Sequence, residues 1–437
     1  MVLGLPLIGS HLAQFAIMLT DAIMLGRYDV RALAAEVLAH GFFFVFFIML
    51  SGFAWAVMPM VAAAAGSGET AQVRRVTRMG LWLSLIAGVA VLPVFIWSRP
   101  ILLALGQDPD LSAMAQDYLR IAGPAILPAL VVMVLKSYFA ALERTQVVLW
   151  VTVAALPLNA FLNWLLIFGN AGAPEMGIRG AAVASVSVHL VSMLVLIAYA
   201  MRATPEHALF QRFWRPDREA FGTVFRLGWP IGLTGLAEVG LFTASSLLMG
   251  MIGTLELAAH GIALQIASAT FMIHLGLSNA ATIRAGRAYG ARDAAGLARG
   301  GAAAIALSAA VALATVALFL TLPEPLLGAF LDPADPDRAT VVGIGVGLLA
   351  AAALFQLADA AQVMALGLLR GVQDTRVPMV MAAVSYWVVG LSASYGLGFL
   401  TPLGGVGIWL GLALGLAVAA VLMMGRFWFG TVRHLSG

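Results

Sequence analysis

Three carboxylates lie in stretches of sequence that are otherwise hydrocarbon. Glu238 sits in Thr234-Gly-Leu-Ala-Glu238-Val-Gly-Leu-Phe242, Asp359 in Phe355-Gln-Leu-Ala-Asp359-Ala-Ala-Gln362, and Asp21 in Leu19-Thr-Asp21-Ala-Ile-Met-Leu-Gly26. A carboxylate in such a setting can exchange a proton, or it can hold a hard cation together with neighbouring oxygens. At the centre of a membrane helix a charged side chain costs about 2.5–3.5 kcal/mol on insertion scales. A chain that keeps three is expected to use them. The plainer readings are a structural carboxylate bonded to a neighbouring helix for Glu238 and Asp359, and interfacial solvation for Asp21, which lies nearer the headgroups.

The elements that must position these groups follow from composition. Of 437 residues, 62% are hydrophobic and 10% charged, with mean hydropathy +0.98. Soluble domains are about 45–50% apolar and about 25% charged, so this is an integral membrane protein. A span needs about 20 apolar residues. Twelve runs qualify: 5–26, 37–65, 79–98, 115–142, 147–169, 179–201, 228–251, 259–283, 300–322, 341–369, 377–400 and 404–428. No alternation of the barrel-strand kind is present, so the expected class is all-α. The first run suits a span better than a cleaved leader, because it lacks a basic start. With the N-terminus placed inside, eighteen of the 24 basic residues fall at the inner ends, Lys136 among them as the only lysine. That bias satisfies the positive-inside rule, with both termini cytoplasmic in the inner membrane. The net charge of +3 is then a loop signal, and no nucleic-acid partner is expected.

The chain repeats itself. Shifted by 224 residues, Gly4-Leu-Pro6 falls on Gly228-Trp-Pro230, Gly26 on Gly250, Gly52 on Gly276 and Gly66 on Gly290. Gly177-Ile-Arg-Gly180 later matches Gly404-Gly-Val-Gly407. Halves with an even number of spans share one orientation, as parallel repeats do in some transporters. The expected organisation is a six-helix lobe over 1–203, a polar linker over 204–226 and a second lobe over 227–437. The acids break the symmetry, since Glu238 falls on Gln14 and Asp21 on Ser245.

Taken together, Asp21-Ala-Ile-Met-Leu-Gly26 with Leu33-Ala-Ala35, Pro157-Leu-Asn159-Ala-Phe-Leu-Asn163-Trp, Gly228-Trp-Pro230 with Glu238, and Asp359 with Leu369-Arg-Gly-Val-Gln-Asp-Thr375 resemble the multidrug and toxic compound extrusion (MATE) family. The pairing of Glu238 with Asp359 is similar to its NorM-like branch; the DinF-like branch lacks the span-seven glutamate. The resemblance implies export of cationic, amphipathic, drug-like compounds in exchange for Na⁺ or H⁺. It implies cation coupling, with possible Na⁺ binding, at Glu238 and Asp359. It also implies a second coupling site at Asp21, flanked by Asn159 and Asn163. These asparagines stand four apart, on one helix face, and could equally bridge helices.

Gln14 and Gln356 are expected as supporting polar groups, and Trp55, Met58 and Met272 as weak candidates for an adaptable apolar cavity. Lipid-facing bulk is the commoner role for such side chains. His40 and His260 read as interfacial or packing residues. The absence of cysteine excludes disulfides and thiolate sites. No phosphate-binding loop, His-Glu-x-x-His pair or nucleophile elbow occurs, so neither an enzyme nor a cofactor is expected. A monomer in the bilayer is the expected state. The competing reading is a flippase of lipid or lipid-linked oligosaccharide with a related two-lobe fold. Such a protein needs basic groups deep in its spans for a pyrophosphate, whereas most arginines here lie at inner loops.

Overall fold

The structure, a computed structural model, describes residues 3–436, and these form helices and turns with no strand among them. The helices long and apolar enough to span a membrane number twelve. They are α1 (Gly4–Tyr28), α2 (Val30–Ser67), α3 (Thr70–Ile96), α4 (Pro109–Ala141), α5 (Thr145–Leu166) and α6 (Ile178–Ala203) in the first half. The second half has α7 (Arg218–Ile252), α8 (Thr254–Gly290), α9 (Ala294–Thr321), α10 (Arg338–Gly371), α11 (Arg376–Phe399) and α12 (Gly405–Leu435). Every expected span is a helix. Several run well past the apolar core: at 1.5 Å per residue the 38 residues of α2 reach about 57 Å, against a hydrocarbon thickness of about 30 Å. Pro59, Pro93, Pro157 and Pro230 lie inside helices. Pro124 falls in a 3₁₀ turn that interrupts α4, while Pro378 occupies the first turn of α11, where no backbone donor is lost.

Contacts divide the chain into two compact units, residues 9–232 and residues 3–8 with 233–436. The division falls inside α7, so each unit includes opening residues of the other half's first helix. The repeat is visible in the contacts these residues make. A Cβ on Gly52 would lie 2.4 Å from the Gly232 nitrogen, and one on Gly276 would lie 2.7 Å from the nitrogen of Ile8. Residues 52 and 276, and 8 and 232, are related by the same 224-residue shift.

Backbone turns carry the repeat further. Gly68 and Arg292, also 224 apart, both have positive φ after α2 and α8. Glu143 and Gln373 both take φ 62° after α4 and α10. Gly177 opens α6 at φ 53°, ψ −127°, and Gly404 opens α12 at φ 54°, ψ −129°, a region essentially closed to residues with a side chain. Three residues on, a Cβ at Gly180 would meet the Leu166 carbonyl oxygen at 2.3 Å, and one at Gly407 the Leu397 oxygen at 2.3 Å. In lipid, association of helices relies on such close approach and on polar links rather than on expulsion of water.

The links are plain in the second unit. Ser278 Oγ donates to the Val363 oxygen at 2.7 Å and Thr282 Oγ1 to the Gly367 oxygen at 2.8 Å, joining α8 to α10. Trp409, Tyr386 and Phe355 fill the core around them. In α11, residues Val384–Gly390 are wound as π-helix. Gly390 there approaches Gly415 of α12 backbone to backbone.

The polar linker is docked on the first unit. Arg75 of α3 holds Asp217 with two bonds of 2.5 and 3.1 Å and Glu219 at 2.7 Å. Arg78 donates to the carbonyl oxygens of Ala208, Leu209 and Gln211. Trp82 donates to the Phe213 oxygen at 2.7 Å, and buried His207 meets the Tyr138 hydroxyl at 2.5 Å.

Candidate functional site

Each unit gathers its own polar cluster. In the first, Asp21 on α1 faces α5. Asn159 Nδ2 donates to Asp21 Oδ1 at 2.9 Å, and Asn163 Nδ2 donates to the same oxygen at 2.5 Å. Helical spacing of four brings both amides to one side of α5, so one carboxylate oxygen receives two donors. Asn163 Nδ2 also lies 3.3 Å from Asn159 Oδ1, while Asn163 Oδ1 is buried with no hydrogen-bond partner. Ser10 and Thr152 are bonded at 3.1 Å further along the same helix pair. Thr20 returns its hydroxyl to its own helix, and Gln14 is exposed on α1, seven residues before Asp21.

Glu36 joins this cluster. The apolar run of the second span begins at 37, which leaves Glu36 in a loop; the helix begins at Val30, because Asp29 caps it through Arg31 N. Glu36 is 8% exposed, and the charge of Asp21 bears on it. His40, one turn on, places Nδ1 3.9 Å from Glu36 Oε1. His40 therefore faces an acid rather than serving only as an interfacial residue.

In the second unit Asp359 is 2% exposed on α10, flanked by Gln356 and Gln362, both fully buried. Gln356 Nε2 donates to the Ala267 oxygen at 3.2 Å, and Gln362 Nε2 to the Tyr386 hydroxyl at 2.5 Å. With their nitrogens committed, Gln356 Oε1 and Gln362 Oε1 are left without a donor, as are Asp359 Oδ1 and Ser385 Oγ. The π-helical stretch of α11 contributes Tyr386, the partner of Gln362. Glu238 on α7 bears electrostatically on Asp359, and Arg370 near the end of α10 bears on Glu238. Trp387 donates to the Ala237 oxygen at 3.2 Å, tying α11 to α7 beside Glu238.

A buried acceptor without a donor costs about 1–3 kcal/mol. Asp359 Oδ1 and the two glutamine oxygens three residues to either side of it are relieved by a proton on the acid or by a hard cation among the oxygens. Among the described residues no three His, Cys, Asp or Glu side chains assemble as a metal set. Amide and hydroxyl oxygens must therefore complete any cation shell around Asp359 and Glu238.

The remaining expectations scatter. Met58 is buried in the first unit and Trp55 half-buried beside it, whereas Met272 lies half-buried in the second. His260 is fully buried: its Nδ1 accepts from Trp409 Nε1 at 3.1 Å, and Ser246 lies 3.1 Å from its Nε2. It packs in the helix interior, not at an interface. Gln362 and Glu36 are site groups that hydropathy does not single out: an uncharged amide leaves an apolar run intact, and Glu36 falls just before the run that begins at 37.

Known proteins resemble this chain over nearly its whole length. The profile of the MatE family matches residues 6–165 and 230–395, one stretch in each half. Over 436 residues the chain is 49% identical to a probable multidrug resistance protein NorM of Rhizobium meliloti (strain 1021), covering 99% of this chain and 93% of that protein. A probable multidrug resistance protein NorM of Synechocystis sp. is 33% identical over 436 residues, with 99% and 95% covered. Among solved structures, a MATE protein in complex with MaL6 has a TM-score of 0.90 at 21% identity, over 100% of this chain and 96% of that one. An outward-facing multidrug resistance MATE family transporter of the MOP superfamily has a TM-score of 0.89 at 21% identity, with the same coverage. At that identity the two structures share the fold. The family match and the 49% identical relative make this a multi-pass membrane transporter, not an enzyme. The chain belongs to the multidrug and toxic compound extrusion (MATE) family, alongside relatives named NorM.

Proposed function

We propose that this protein exports cationic, amphipathic, drug-like molecules across the inner membrane in exchange for Na⁺ or H⁺, as a monomer with both termini cytoplasmic. The names of its relatives, multidrug resistance proteins, support the substrate class. The carrying observation is Asp359, buried with an unpartnered oxygen between two glutamines whose own oxygens lack donors. Glu238 and Asp359 would hold the coupling ion, with Gln356 and Gln362 as supporting oxygens. Asp21, held by Asn159 and Asn163, is the second coupling group, in the other lobe. The ion drives alternating access only by binding the two lobe arrangements with different affinity. The lobes are residues 1–203 and 227–437, joined by 204–226. Arg370 is a poor phosphate ligand here, because Glu238 already opposes its charge, which weighs against a lipid-linked oligosaccharide flippase.

The test is efflux of a fluorescent cation from proteoliposomes under a Na⁺ gradient alone and then a pH gradient alone. Wild type is expected to respond to one of them. Glu238→Gln with Asp359→Asn is expected to cut that response at least tenfold, leaving only the share carried by the other lobe, while the protein still folds. Gradient-driven export at the wild-type rate by the double variant would overturn the assignment.

A further inference from the structure

Asp21 and Glu36 flank the single residue, Asp29, that separates α1 from α2. Counted at 1.5 Å per residue, both lie about 10–12 Å along their helices from that turn, so they occupy one level of the first unit. Their surroundings differ. Two amides donate to Asp21, which suits an ionised carboxylate. No described residue donates a hydrogen bond to Glu36; its one ion-pairing partner, His40 Nδ1, stands 3.9 Å away, beyond hydrogen-bond reach. A buried charge with no donor is relieved by a proton. Exposure is graded too, since the His40 side chain is 43% exposed and that of Glu36 11%.

We propose that Glu36 is a second proton-carrying carboxylate of the first unit, loaded and unloaded through His40. It is distinct from Asp21 and lies outside the Glu238–Asp359 pair. In the loading step the side chains close to hydrogen-bond distance and the Nδ1 proton of the His40 imidazolium passes to Glu36 Oε1, leaving a neutral imidazole and a neutral carboxylic acid; unloading is the reverse. The groups around Glu36 fit an exchange rather than a fixed ion pair. Tyr118 on α4 is influenced by both Glu36 and Asp21, and His189 on α6 by Lys136 on α4. His189 in turn bears on His40. The arginines of α3 lie in its first three turns, beside the opposite end of α2. Asn163 Oδ1, fully buried and unpartnered, marks the same cluster as one short of a donor.

The inference rests on ion-coupled export, so the experiment separates the two. Proteoliposomes under a pH gradient of one unit report the steady-state accumulation ratio, and protein in weakly buffered detergent reports protons released on substrate binding. Each coupled proton contributes about tenfold to that ratio per pH unit, because 1.36 kcal/mol is a factor of ten. Glu36→Gln is expected to lower the ratio about tenfold and to release one proton fewer, with its melting temperature and substrate affinity near wild type. Glu36→Asp should restore the released proton, and His40→Asn should move the pH midpoint of release. Wild-type ratio and proton count in Glu36→Gln would overturn the role of Glu36 while export coupling stands. If Glu36→Gln does not fold, an unchanged midpoint in both Glu36→Asp and His40→Asn overturns it equally. A wild type that releases no proton and ignores the pH gradient overturns proton carriage altogether, leaving Na⁺ exchange as the remaining coupling.

Discussion

His207 and Asp217 fasten the linker by means that respond to pH in the same direction. Burial holds the His207 imidazole below its ordinary value, and the Tyr138 hydroxyl sits 2.5 Å from its Nδ1. Arg75 holds the Asp217 carboxyl below the usual carboxylate range. A group whose folded value is depressed contributes stability above its unfolded value and loses it as pH falls through the folded one. Docking should therefore be firm at pH 7 and above. It should loosen below about pH 6.5 as His207 gains a proton, and further below about pH 4 as Asp217 does. The protection of residues 205–215 against hydrogen exchange, relative to the intrinsic rate at each pH, is expected to fall between pH 7 and 5.5, and His207→Gln to flatten that fall. Because the Arg75–Asp217 pair is partly exposed, Asp217→Asn should cost no more than about 1 kcal/mol. At this scale the sequence exposed Asp21, Asn159 and Asn163, because an acid in an apolar run and two amides four apart are visible without coordinates. Glu36 escaped because an apolar count stops at the first charge, while the helix, capped by Asp29, does not.

The helices themselves were legible from hydropathy; their packing was not. Nothing in composition distinguishes Gly180 and Gly407, which touch a neighbouring carbonyl, from Gly300, which touches nothing. The distinction predicts opposite signs. Gly180→Ala and Gly407→Ala force a methyl against backbone at 2.3 Å and should destabilise by about 1–3 kcal/mol. Gly300→Ala, inside α9, should stabilise by about 0.5–1 kcal/mol. Melting of the detergent-solubilised variants decides, and Gly407→Ala melting as high as wild type would remove the close-approach argument. The linker's docking was equally invisible. Arg78 finds backbone carbonyls, which every residue supplies, so no sequence pattern announces them. The π-helical stretch of α11 has no Pro or internal Gly to signal it, yet it brings the Tyr386 hydroxyl to Gln362, one turn from Asp359.

At the scale of the molecule, one duplicated plan carries two unlike sites. The turns after α2 and α8, the turns after α4 and α10, and the openings of α6 and α12 repeat closely in backbone angle. The acids do not repeat, because the duplicated frame constrains glycines that touch backbone but leaves inward polar positions free to diverge. Asp21 belongs to one compact unit and Asp359 to the other. Sites built from separate sets of residues are expected to contribute independently. Under a pH gradient of one unit, Asp21→Asn and Asp359→Asn should each lower the accumulation ratio about tenfold, and the pair about a hundredfold. The measurement is the same proteoliposome ratio for wild type, both single variants and the double. A double variant no worse than the weaker single would mean that one ion visits both carboxylates in turn. A hundredfold loss would mean that each lobe carries its own ion, the outcome that two separately built clusters imply.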